Sequence, residues 1–211
     1  KEAPPRDLLA PVATVGGSSF VRVEWNAPLK PYGVILHYLL TRNGSQVYNG
    51  TDLKFNDLTV APHTVYMYVV TAVNSAGRVS SPPGFSAATN PGAPDNVSIP
   101  TLYVLSATSI KVLWTAPGVP NGVIFKYEVL YNFMGAQGVA QVNDAGIAKE
   151  ITLKDLLPYT LYEVRIRACT LKGCSIGEAN YARTFEAPPE GQNPPDFPTS
   201  NISARRVLVT W

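Results

Sequence analysis

One short pattern occurs twice and constrains the fold more than any other feature. Leu156-x-Pro158-x-Thr160-x-Tyr162 is preceded by Val60-x-Pro62-x-Thr64-x-Tyr66. Each copy runs into alternating apolar positions, Tyr162-x-Val164-x-Ile166-x-Ala168 and Tyr66-x-Tyr68-x-Val70-x-Ala72. Successive side chains on a strand point to opposite faces, so each set lines one buried face of a strand. The proline cannot donate to a ladder and sets the turn into the strand. The tyrosine then fits a corner residue, its ring buried and its hydroxyl bonded back to the turn backbone. Two copies in matching contexts define a repeat.

Other landmarks recur at a fixed distance. Phe20-Val21-Arg22-Val23-Glu24-Trp25 alternates strictly, and the pattern returns as Ile110-Lys111-Val112-Leu113-Trp114 and as Val207-Leu208-Val209-Thr210-Trp211. Trp25 and Trp114 lie 89 residues apart, as do Gly33 and Gly122, whereas the corner tyrosines Tyr66 and Tyr162 lie 96 apart. Seven extra residues therefore fall between these landmarks in the second repeat. Phe133 to Lys149, with Gly135, Gly138 and Gly146, predicts a longer, more mobile hairpin there. Asn90-Pro91-Gly92-Ala93-Pro94 reads as a short linker with few freely rotating bonds. The organisation expected is a repeat over 1–89, a second over 90–187, and over 188–211 a linker with the first two strands of a third, truncated repeat. Two strands cannot form a sandwich core, so that tail should need a neighbour or a continuing chain.

Composition agrees with many short strands joined by turns: 211 residues, 19 Pro, 16 Gly and 11 Tyr, with 45% hydrophobic residues. A net charge of +2 with 15% charged residues gives no electrostatic argument for nucleic acid or an acidic lipid surface. No apolar run approaches the roughly 18–20 residues of a membrane span, so no membrane contact is expected within this stretch.

The paired tryptophan and corner tyrosine, at periods of 89–96 residues, make the chain resemble the fibronectin type III module. The resemblance covers the whole chain and implies an all-β fold of tandem, immunoglobulin-like β-sandwiches. Each would have seven strands, in sheets ABE and C′CFG, without a core disulfide. Trp25, Tyr66, Trp114 and Tyr162 would be structural core residues.

Cys169 lies opposite in phase to Tyr162, Val164, Ile166 and Ala168, so alternation turns it outward beside Glu163, Arg165 and Arg167. Four residues separate it from Cys174, which lets the pair face each other across a hairpin at bridgeable distance. Two reduced thiols, or half of a metal site, are the alternatives. A bridge over so short a loop would contribute about 2 kcal/mol in the chain-entropy treatment. Asn43, Asn49, Asn96 and Asn201 open Asn-x-Ser/Thr sequons, which are glycan acceptors in a secreted chain and otherwise turn asparagines. With an outward cysteine pair they favour an extracellular location.

Nothing in the sequence points to catalysis, a metal or a cofactor. His37 and His63 stand without a partnered nucleophile or carboxylate, and neither cysteine has clustered ligands around it. Lys111, Lys126, Arg165 and Arg167 read either as a basic stripe for sulfated sugars or as a solvated sheet face.

A narrower resemblance rests on Arg42-Asn43-Gly44-Ser45-x-Val47-Tyr48-x-Gly50 and on Ala168-Cys169-Thr170-x-x-Gly173-Cys174. Both are similar to habits of the repeats in very large, membrane-anchored matrix proteins of hair cells and photoreceptors. The first repeat departs by having Val73 and Arg78 where the cysteines would stand. The expected function is a non-catalytic structural and adhesion segment of an extracellular or membrane-anchored protein. Its partners would be matrix or adhesion proteins, collagen or fibronectin by family resemblance. The alternative is the ligand-binding ectodomain of a cell-surface receptor such as a receptor tyrosine phosphatase.

Overall fold

The computed structural model describes residues 2–135 and 140–188. The sequon at Asn201, the third tryptophan strand and nearly all of the expected third repeat (188–211) lie outside those residues. The described chain is all-β, in tandem β-sandwiches, each around its own core.

In the first repeat β1 (Val12–Val15), β2 (Val21–Glu24) and β5 (Lys54–Asp57) form one antiparallel sheet. Facing it are β4 (Ser45–Gly50), β3 (His37–Arg42), β7 (Tyr68–Asn74) and β8 (Gly77–Ser80), hydrogen-bonded in that order. A two-residue strand, β6 (Val65–Tyr66), pairs with β9 (Ala87–Ala88). The second repeat copies this plan. Its smaller sheet is β10 (Thr101–Ser106), β11 (Ser109–Leu113) and β14 (Glu150–Leu153). Its larger sheet runs β13 (Gln141–Gly146), β12 (Lys126–Phe133), β15 (Leu161–Thr170), β16 (Gly173–Ile176), and β17 (Asn180–Arg183) also pairs with β15.

The alternation found in sequence is the alternation of burial. Val21, Val23, Val70 and Ala72 are fully buried in the first core, as are Val112, Val164, Ile166 and Ala168 in the second. Burying each Val or Ile side chain contributes about 1.5–3 kcal/mol. Trp25 and Trp114 sit one residue past β2 and β11, their backbone N–H groups donating to the carbonyls of Leu53 and Lys149 at 3.0 Å. Each indole packs edge-on against a tyrosine of the facing sheet: Trp25 on Tyr38 at 6.0 Å, Trp114 on Tyr127 at 5.8 Å.

The strand count departs from seven per repeat because two strands are interrupted. In the first repeat Met67 separates β6 from β7: its N–H donates to the side-chain oxygen of Asn43 at 2.8 Å, and its carbonyl accepts from the Asn43 N–H. The last strand also splits, at Pro82-Pro83, which bring no N–H to a ladder. In the second repeat β15 runs unbroken for ten residues, and only the last strand is divided. The extra residues lie at the β12–β13 hairpin, where Asn43-Gly44, a tight turn with φ of 48° and 85°, closes the matching hairpin of the first repeat. Its tip, 136–139, falls outside the described residues.

Candidate functional site

The corner tyrosines act through their hydroxyls. Tyr66 Oη accepts the N–H of Ala61 and Tyr162 Oη accepts the N–H of Leu157, both at 2.8 Å and both five residues upstream. A threonine that alternation did not single out completes each corner. Thr89 Oγ1 donates to the Ala61 carbonyl at 2.7 Å and accepts from Thr64 N. Thr184 does the same with Leu157 and Thr160. Both threonines are buried.

The opposite end of each repeat is also matched. Before β1 the chain crosses the β2–β3 turn, where Ala3 N donates to Tyr32 O at 3.2 Å and Arg6 N to Lys30 O at 2.8 Å. Before β10 the same crossing returns, with Gly92 N to Asn121 O at 2.8 Å and Asp95 N to Val119 O at 2.7 Å. A buried polar side chain at the end of β7 or β15 clasps this strap. Asn74 Nδ2 donates to Ala3 O at 2.7 Å, and Thr170 Oγ1 donates to Gly92 O at 2.7 Å. Neither residue stands out in the sequence, because each bonds a segment more than 70 positions away.

Cys169 and Cys174 are joined in a disulfide across the β15–β16 hairpin, as directly opposed partners. Val73 and Arg78 oppose each other in the same way across β7–β8. The expectation of an outward, solvated Cys169 is corrected by the fold: it is only 2% exposed. Its phase in the strand is as expected. However, its carbonyl accepts from Phe125 N, Lys126 lies across from it, and the next residue is held under the strap, so this part of the face is covered.

Two buried carboxylates anchor the ion pairs. Asp57 is fully buried and accepts from Arg42 at 2.9 Å, from the Tyr68 hydroxyl at 2.9 Å, and from the hydroxyl and N–H of Thr59 at 2.8 and 3.0 Å. Burial pushes its pKa up, but the hydrogen bonds from Thr59 and Tyr68 and the charge of Arg42 outweigh it and hold the carboxyl below its ordinary value. Burial, reinforced by the Asp57 charge, raises Tyr68. Arg42 also lies over the Tyr66 ring, 5.1 Å from its centroid. In the second repeat Glu128, 5% exposed, is bonded by Lys126 at 2.5 Å and by Arg167. The Lys126 hydrogen bond, then that of Arg167, keeps its pKa low against desolvation.

These pairings decide the basic stripe. Arg165 pairs with Glu163 at 2.6 Å, Lys111 with Glu150 at 3.0 Å, and Lys126 and Arg167 share Glu128. Lys126 also meets Asp144 at 3.3 Å, so each cation has a carboxylate partner, and Lys111 stands on the smaller sheet apart from the other three on the larger one, so the four form no continuous basic stripe.

The remaining residues do not converge. His37 opens β3 and His63 sits in the turn before β6 with φ of 49°. Among the described residues no group of three or more His, Cys, Asp or Glu is placed to hold a metal ion, and no helix is long and apolar enough to cross a membrane. Asn43, Asn49 and Asn96 are all exposed: Asn43 in the β3–β4 turn, Asn49 on the edge strand β4, and Asn96 just before β10 with φ of 53°.

Residues 92–184 match the fibronectin type III domain family. Usherin of Mus musculus is 33% identical over 218 aligned residues, covering 100% of this chain and 4% of that protein. Phosphatidylinositol phosphatase PTPRQ of Homo sapiens is 28% identical over 200 residues, 90% of this chain and 8% of that protein. Ephrin type-A receptor 8 of Mus musculus is 28% identical over 222 residues, 94% of this chain and 22% of that protein. The chain thus spans a small fraction of the length of each relative.

Proposed function

From the premise that this chain is a tandem of fibronectin type III repeats resembling those of usherin, we propose that it is a non-catalytic structural and adhesion segment of a large extracellular or membrane-anchored protein. Its repeats, over 1–89 and 90–187, act as spacers that present surfaces to matrix or adhesion proteins. The finer reading is an usherin-like link in hair cells and photoreceptors.

One observation carries the reading. The seven buried polar residues among those described are Asp57, Asn74, Ser81, Thr89, Glu128, Thr170 and Thr184. Every one bonds to backbone or side chains of its own repeat or of the strap leading into it. A catalytic cleft keeps such groups aimed at a substrate. Here they hold the corners, straps and sheets in place. The alternative of a receptor-phosphatase ectodomain is supported by the similarity to phosphatidylinositol phosphatase PTPRQ over 90% of the chain.

Asn43, Asn49, Asn96 and Asn201 are the proposed glycan acceptors. Asn43 lies in the turn leading into the outer edge strand of the first repeat and Asn49 lies on that strand, where sugars would block edge-to-edge strand pairing. The test is intact-mass and peptide mapping of the chain expressed through a secretory route. Glycan on Asn43 or Asn49, with no free thiol, is the expected result. A bare chain with two free thiols would overturn the extracellular assignment.

A further inference from the structure

The junction between the repeats has almost no slack. On the first-repeat side, Asn90 N donates to Gly17 O at 3.2 Å and Asn90 O accepts from His63 N at 3.1 Å. On the second-repeat side, Gly92 N donates to Asn121 O and Gly92 O accepts from Thr170 Oγ1, at 2.8 and 2.7 Å. Asn121 also donates from Nδ2 to the Ala93 carbonyl at 2.8 Å. A single residue, Pro91, therefore lies between backbone groups pinned to different repeats, and its ring fixes φ.

That proline is seated. A Cβ added to Gly122 would fall 2.9 Å from Pro91 Cβ, so the missing side chain of Gly122 is the space the ring uses. From the first repeat, Pro62 of the corner before β6 closes on the next residue: a Cβ on Gly92 would lie 3.3 Å from Pro62 Cγ. The first repeat holds its own strap by the equivalent contacts, with Glu2 against Gly33 and Pro4 against Gly77. The seat is thus a feature of the repeat plan, and at the junction it receives the chain leaving the preceding repeat.

We propose that the junction is a one-residue locked joint, with Pro91 as the pin, Gly122 as its socket, and Thr170 and Asn121 as the latch, so that the two repeats turn as one rigid body. The disulfide beside Thr170 holds the hairpin that carries the latch. This deepens the spacer reading: a spacer with locked joints transmits orientation and force as well as distance. A flexible joint needs several freely rotating residues, whereas here the ψ torsion of Pro91 is the one left between the pinned groups.

The test is the rotational correlation time of each repeat, from 15N relaxation of the full 211-residue chain. The native chain should show both repeats tumbling with the time of the whole particle. Inserting Gly-Ser-Gly-Ser between Asn90 and Pro91 should shorten that time by at least about a third in both repeats, since such linkers behave as flexible coil. Equal times for the native and inserted chains would overturn the locked joint. Thr170→Val keeps the volume and removes the hydroxyl. It should shorten the time in the same direction while the second repeat stays folded, as judged by the methyl shifts of Val112 and Val164. An unchanged time in that folded variant would remove Thr170 from the latch, and Gly122→Val applies the same reading to the socket. None of these readouts involves a partner or a location. A chain that binds no matrix protein can therefore still pass, and one that binds can still fail.

Discussion

Asp57→Ala should cost the first repeat about 3–5 kcal/mol, the range for removing one member of a buried ion pair. The substitution takes away the acceptor for Arg42 and for the Tyr68 hydroxyl, and Tyr68 is 1% exposed. The phenol is then left inside without its partner, and the guanidinium, over the Tyr66 ring, loses its counter-charge. Such a loss is a large share of the 5–15 kcal/mol that holds a typical domain folded. The second repeat supplies the control within the same molecule. At the places of Arg42, Asp57 and Tyr68 it carries Tyr131, Leu153 and Val164, with Tyr131 packed on Tyr162 at 6.5 Å and Leu153 fully buried. Copying that set as R42Y/D57L/Y68V should restore most of what Asp57→Ala loses, because a packed apolar replacement removes the charge and its partners together. Urea unfolding, followed through the amide resonances of Val23 and Val112, reads the two repeats separately. The expected result is a lower midpoint at Val23 and an unchanged one at Val112. A loss below about 1 kcal/mol at Val23, the size of a surface change, would refute the reasoning.

Three further outcomes follow from the same geometry. Asp57 has a folded pKa below its ordinary value, so its stabilisation is complete above about pH 4 and lost as pH falls through the depressed value. Acid unfolding of the first repeat should therefore become less steep in R42Y/D57L/Y68V. Tyr162→Phe removes only the bond to Leu157 N and should cost the second repeat about 1 kcal/mol, against about 3–5 kcal/mol for Tyr162→Ala, both read by chemical denaturation. Replacing both cysteines, as C169A/C174S, should lower the second repeat by about 2 kcal/mol and leave the first unmoved in the same titration.

The two halves of each repeat differed in how visible they were beforehand. Val21-x-Val23-x-Trp25 and Tyr162-x-Val164-x-Ile166-x-Ala168 announce their buried faces, because strand periodicity is written into neighbouring residues. The corner tyrosines were legible for the same reason, as their hydroxyls reach only five residues back. Asp57 was not, since an acidic residue at the end of a strand ordinarily faces water. A comparison of the repeats flags it: Asp57 stands 96 residues before Leu153, the same spacing as the corner tyrosines. Thr89 and Thr184 lie 95 residues apart, so a pairing at that fixed spacing misses them by one residue.

Chain order alone therefore determined that there are like sandwiches, which residues fill them and where the corners turn, since each of these depends on contacts within a few positions. Tertiary structure decided the burial of Cys169, the pairing of Arg167 with Glu128 and of Lys111 with Glu150 across neighbouring strands, and the clasp between Thr170 and Gly92, 78 positions apart. Those depend on which strands lie side by side and on where the strap crosses the hairpin. Periodicity assigns a side chain to a face, but only the neighbouring segments determine whether that face is open to water.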